Sequence, residues 1–147
     1  MEEILEENKQ ELSRNALQKV AMTAVYDALT QQNMGYPVNV EEIVSSLMDL
    51  PYEECDYFVK AAVIFSLKHQ QEIIAVFTEH MRNWTFDRLN RVEQAILLLS
   101  YVHYFYIDPE VDRAVVINIA GRLSKDYLGD KDYRFVNAIL DKVLVRA

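Results

Sequence analysis

Residues 88–109 read RLNRVEQAILLLSYVHYFYIDP, and this stretch decides the fold. Val92, Ala95, Ile96, Leu99 and Val102 recur at intervals of three and four, the spacing that lines up side chains along one face of an α-helix. Positions 95–107 are apolar on nearly every side, which suits a helix enclosed by others. The 13 residues from Ala95 to Ile107 include His103, and a membrane span takes roughly 20. The segment therefore reads as a core helix at the centre of the second half of the chain.

Toward the C-terminus, Asp108-Pro109 forms a junction: Asp can cap a helix and Pro suits its first turn. The next helix is predicted over about 110–127, stopping at Gly129. Asp132 is the expected cap of a last helix carrying Phe135, Val136, Ile139, Leu140 and Val143. Toward the N-terminus, Asn83-Trp84-Thr85 interrupts the apolar rhythm. It marks the expected boundary between helical subdomains over about 9–81 and 84–147 of a single domain. One helix is predicted over about 53–81, after Pro51, with Phe58, Ala62, Phe65, Ile73, Val76 and Phe77 facing inward. Asn39 followed by Glu42 reads as a capping box opening a short helix over Ile43, Val44 and Leu47. In the first helix Leu12, Ala16, Val20, Ala24 and Ala28 repeat every four, beside Leu17, Ala21, Val25 and Leu29. It is predicted to run to about residue 31, before Gly35-Tyr36-Pro37, and the acidic first eleven residues are expected to fray. The fold class is all-α, six or seven helices in two packed groups.

Three Gly and three Pro in 147 residues are too few for the turns of an all-β chain. The net charge of −8 is uneven: residues 1–81 hold 5 Lys/Arg against 14 Asp/Glu, and residues 82–147 hold 10 against 9. The acidic half repels nucleic acid at long range, so any polyanion contact must come from a local cluster. Taken alone, the excess also fits a solvated helical face. Cys55 is the single cysteine, and no cationic start precedes an apolar signal core, so a cytoplasmic setting is expected.

Signals for chemistry are missing. His69 and His80 lie eleven residues apart, roughly 16 Å along a helix, too far to share a metal. HExxH, CxxC, Gly-rich phosphate loops and GxSxG do not occur. Glu79 and His80 are neighbours, which point in different directions on a helix. No catalytic residue, no metal and no cofactor is expected, and His103 reads as a core or rim histidine. Tyr101, Tyr104 and Tyr106, with Phe105 among them, could stack bases; such clusters more often fill a core with their hydroxyls at its edge.

Trp84, Arg88, Val92-Glu93, Ala95-Ile96-Leu97, Pro109, Ile117-Asn118, Ala120, Gly129 and Phe135-Val136-Asn137, followed by Leu140-Asp141, come in a distinctive order. In order and spacing they resemble the C-terminal half of the bacterial NusB transcription antitermination family. Ala21, Ala24 and Tyr26 stand in register with the family's first helix, whereas residues 35–80 match only as helical filler. The resemblance implies an all-helical fold of two three-helix groups and no enzyme activity. It also implies binding to the small-subunit ribosomal protein NusE and, with it, to boxA-type RNA, within an RNA polymerase antitermination complex that supports rRNA transcription. By position it makes Tyr26, Glu93 and Phe135 partner-binding, and Arg14, Lys19, Arg134 and Phe135 RNA-binding. Burial in the core is the alternative for Tyr26 and Phe135, and Asn137 reads as bonding a helix end.

The sequence also departs from the family. The family's first helix opens with an arginine cluster, where this chain has Ser13-Arg14-Asn15-Ala16-Leu17-Gln18-Lys19 behind five glutamates. Each lost phosphate contact forfeits counterion release and weakens RNA binding. Leu98 replaces an arginine and Ile119 a glutamate, which points to altered packing or another contact surface. A second reading follows: a NusB-fold protein-interaction or self-associating module, monomer or homodimer, that uses Leu98, Ile119 and the tyrosine cluster and has lost strong RNA binding. No membrane partner is expected under either reading.

Overall fold

A computed structural model describes the backbone of residues 2–146 and the side chains of residues 14–146. Among the described residues there are seven α-helices and no strand. They are α1 (Glu2–Asn33), α2 (Val40–Met48), α3 (Tyr57–Lys68), α4 (Gln70–Glu79), α5 (Arg91–Val102), α6 (Arg113–Tyr127) and α7 (Asp130–Val143). The acidic start, where fraying is expected, is helical from Glu2, and its side chains, with that of Leu12, lie outside those described. No helix is long and apolar enough to cross a membrane among the residues described.

α5 is the hub. Every side chain from Ala95 to Ser100 is buried, as is Val102, and α1, α3, α4, α6 and α7 all pack against it. The all-round apolar pattern produces this, because a helix without a polar face is stable only when neighbours cover it on all sides. Its one buried hydroxyl, Ser100, donates to the Ile96 carbonyl at 2.7 Å. A single hydrophobic cluster joins the buried residues of α1, α2 and α3 to those of α5, α6 and α7. Leu98 is fully buried and Ile119 is 8% exposed. They belong to this core, so the contact surface they were expected to offer does not exist; the departures from the family are changes of packing.

The helix ends follow local chemistry. α1 closes as a Schellman turn: Tyr36 N–H donates to the Gln31 carbonyl at 2.9 Å and Gly35 N–H to Gln32 at 3.0 Å. Gly35 takes φ +79° there, where a Cβ would be strained. Asn39 caps α2 by accepting from Glu42 N–H at 3.0 Å. The return half of the expected capping box is supplied from elsewhere, since Asn39 N–H donates to Gln31 Oε1 at 3.3 Å.

Four expectations need correction. The helix predicted over 53–81 is two helices that meet at His69, preceded by a 3₁₀ turn at Tyr52–Glu54. No Gly or Pro marks the break; His69 is held by tertiary stacking, its ring 4.2 Å from that of Tyr106 and nearly parallel to it. The core helix stops at Val102 and widens into a π-turn, His103–Ile107, closed by Asp108 N–H to the His103 carbonyl at 3.1 Å. α6 starts at Arg113 because Asp112 caps it, accepting from Ala114 N–H at 3.3 Å. Asp108 instead closes a turn by accepting from Glu110 N–H. Asp132 lies inside the first turn of α7, whose cap position is Gly129.

The π-turn gathers the aromatics. Tyr104 is buried, with Tyr101 and Phe105 4.6 Å apart beside it. His103 meets Phe58 edge-on at 4.9 Å, and burial holds its imidazole below the usual range, with Asp108 partly opposing. Arg146 closes this corner, donating to the carbonyls of Val111 (3.0 Å), Asp108 (3.1 Å) and Tyr104 while its guanidinium lies 3.8 Å over the Tyr104 ring. Hydrogen bonds from charged donors are each worth about 1.5–3 kcal/mol. Arg146 is exposed and water competes for these bonds, so Arg146→Ala is expected to cost roughly 2 kcal/mol, the worth of about one of them, in urea unfolding. Arg146→Lys, which keeps charge but not the fork, is expected to recover only part of it.

Candidate protein and nucleic-acid interface

The first turn of α5 lies between two other helices. Arg91 reaches toward α1, donating to Thr30 Oγ1 at 3.2 Å, with its guanidinium 6.0 Å from the Tyr26 ring centroid. Glu93, two residues on, reaches the opposite way and hydrogen-bonds the Asp132 carboxyl on α7. One helical turn thus ties α1 to α7.

Glu93 has a structural duty that the sequence reading missed. Asn90 caps α5, accepting from Val92 N–H at 2.8 Å, and Glu93 bonds back to the Asn90 backbone. Asn90-Arg91-Val92-Glu93 is a capping box, visible in the sequence but overshadowed there by the family match. Glu93 is only 6% exposed. Burial, then the charge of Asp132 and the hydrogen bond with it, raise its carboxyl to about 7. The neighbouring carboxylate favours the protonated form of Glu93, as like charges in close contact do.

The other predicted residues spread along α1 and α7. Tyr26 and Phe135 are half-buried against the core. Arg14 and Arg134 are exposed. Lys19 is committed to Asp126 of α6 at 3.5 Å, so its charge is compensated. Asn15, Lys19 and Tyr26 share one stripe of α1, and each meets a charged group across the groove: Arg122, Asp126 and Arg91 respectively. Arg14 lies about 100° round the helix from Asn15 and is not part of that stripe. Glu93 and α7 are brought together through Asp132, and Tyr26 joins the same turn only through Arg91. Arg91, Arg122 and Asp132 were missed; in the sequence each is one more charged residue of the kind that exposed faces carry, and nothing there marks its partner on another helix.

A second feature begins at Arg91. A groove of about 560 Å³ runs between the end of α1, α4 and the start of α5, with Leu29, Ile74 and Phe86 as apolar walls and Gln94 and Arg91 at its rim. Gln94 is fixed there by donating to the carbonyls of Leu89 (2.9 Å) and Phe86 (3.2 Å). Among the described residues no group of three or more His, Cys, Asp or Glu could hold a metal.

The raised carboxyl of Glu93 fixes a pH dependence. A carboxyl raised from 4.5 to about 7 on folding binds its proton more tightly in the folded state, so stability falls as pH rises through that window. Glu93→Gln keeps the capping box and the hydrogen bond to Asp132 without the repulsion. It is expected to unfold later than the native chain at pH 8, by on the order of 2 kcal/mol. The gap should close below about pH 5, and loss of stability at pH 8 would refute the raised Glu93 carboxyl.

The sequence matches the NusB family over residues 8–145. It is 32% identical to the transcription antitermination protein NusB of Ligilactobacillus salivarius over 135 residues, covering 90% of this chain and 98% of that one. It is 28% identical to that of Finegoldia magna, covering 92% and 96%. Among solved structures the fold is similar to T. maritima NusB, with a TM-score of 0.74 at 19% identity over 89% of each chain. It is also similar to a chain from the complex of antitermination factors NusB and NusE with double-stranded RNA, with a TM-score of 0.71 at 22% identity over 89% of this chain and 95% of that one. With the motifs in order along an all-helical chain, the match from end to end places this protein in the NusB family.

Proposed function

We propose that this chain is a transcription antitermination factor that docks the small-subunit ribosomal protein NusE and, together with it, holds boxA-type RNA. In this role it joins an RNA polymerase antitermination complex that supports rRNA transcription, in the cytoplasm and without a cofactor. The observation that carries the reading is the match to curated antitermination proteins across about nine-tenths of this chain. The joined turn of α5 supports it: Tyr26 with Arg91 over its ring, beside a groove of mixed apolar and amide walls, offers the aromatic and arginine anchors that concentrate binding energy at protein interfaces. Glu93 contributes by holding α7, and with it Phe135, against α5.

The test is titration calorimetry of the whole chain with the purified ribosomal protein. Binding at micromolar Kd or tighter is expected. Tyr26→Ala should weaken it by roughly tenfold or more, with circular dichroism confirming the helical fold, whereas Ile64→Ser on exposed α3 surface should not. No binding at tens of micromolar would rule the reading out.

A further inference from the structure

Four cations on α1 and α6 fall into two kinds. Lys19 is paired with Asp126 at 3.5 Å and Arg113 with Asp141 at 3.0 Å. Arg122 and Lys125 lean instead on uncharged groups: Arg122 donates to the Asn15 side-chain oxygen, and the Lys125 ammonium lies 4.5 Å over the Tyr133 ring. Among the described residues neither has a carboxylate within ion-pair distance. An anion meeting this face gains most from them, because it displaces an amide or a ring rather than a carboxylate.

The two border a cleft of about 300 Å³ between α6 and α7, the lower end of the range for small-ligand sites, about 300–1,000 Å³. Asn118 on α6 and Asn137 on α7, both exposed, supply amides to its two walls. Tyr133, half-buried, supplies a ring. Gly121 makes the close approach possible, since a Cβ there would stand 2.9 Å from Tyr133 Cε2. Arg134, exposed, lies beside the cleft, one residue after Tyr133.

Cations for a phosphate, amides that both donate and accept, and an aromatic face in one small cleft match the parts of a single unpaired nucleotide. A carboxylate-bearing peptide would use the cations and leave the amides and the ring idle. We infer that the α6–α7 cleft is a subsite for one nucleotide of single-stranded RNA. Its phosphate lies on Arg122 and Lys125, and its base on Tyr133 with an edge toward Asn118 and Asn137. Lys125 leaves the ring for the phosphate as the base arrives. The inference rests on the RNA-binding reading above and moves the main phosphate contacts from α1, where Lys19 is already paired, to α6.

The experiment is fluorescence anisotropy of the full chain with a labelled single-stranded boxA-type dodecamer, from 50 to 200 mM salt. Arg122→Gln with Lys125→Gln should weaken binding by roughly tenfold or more at the low-salt end and flatten the plot of log affinity against log salt by about 1.4, two contacts at about 0.7 each. Tyr133→Leu should weaken it by about fivefold or more and leave that slope alone. Lys60→Gln with Lys68→Gln, the same loss of two charges on α3, should bind as the native chain does. Native binding matched by the cleft variants would overturn the subsite and leave the RNA reading standing. No RNA binding by the native chain, alone or with the ribosomal protein, would end both. Loss of ribosomal-protein binding in the cleft variants with RNA binding intact would overturn the subsite and make the cleft a protein contact. Thermal melting of each variant establishes that it is folded.

Discussion

The structure depends on the burial of α5 from all sides. From Ala95 to Ser100 every side chain is enclosed, so no arrangement that leaves one flank of this helix wet is available. Five helices meet that demand together. Their other faces are then fixed relative to one another, which makes the α5 first turn a junction: Arg91 and Glu93 emerge from the buried segment's end and take hold of α1 and α7. The interface is an extension of the core's geometry.

Much of this was legible in residues. The apolar run, the Asn39 cap and the stop at Gly35 each rest on local chemistry, and local chemistry is what a sequence displays directly. The break at His69 was not legible, because it is made by a ring stacked on Tyr106 from a distant helix. The π-turn was hidden for the same reason: its residues have unbroken helical character, and the extra residue per turn serves to place Tyr104 and Tyr106 against their neighbours. At the Asp108-Pro109 junction two aspartates competed, and Asp112 caps the helix that Asp108 was expected to cap.

Site residues were legible by type and illegible by commitment. Lys19 and Arg122 look alike in a sequence, yet one is held by a carboxylate and the other by an amide. Glu93 could be picked out by position, but its proton could not, since that comes from burial beside Asp132. The distinction that matters for a polyanion or a basic partner is which charges are already spoken for, and that is a property of pairs.

Arg146 has a consequence for how the molecule comes into being. Its guanidinium gathers carbonyls 42, 38 and 35 residues back along the chain. During synthesis those acceptors emerge well before their donor does. The bonds of Arg146 to the turn after α5 therefore form only once residue 146 has emerged, and a nascent chain halted short of it would carry that aromatic corner unlatched.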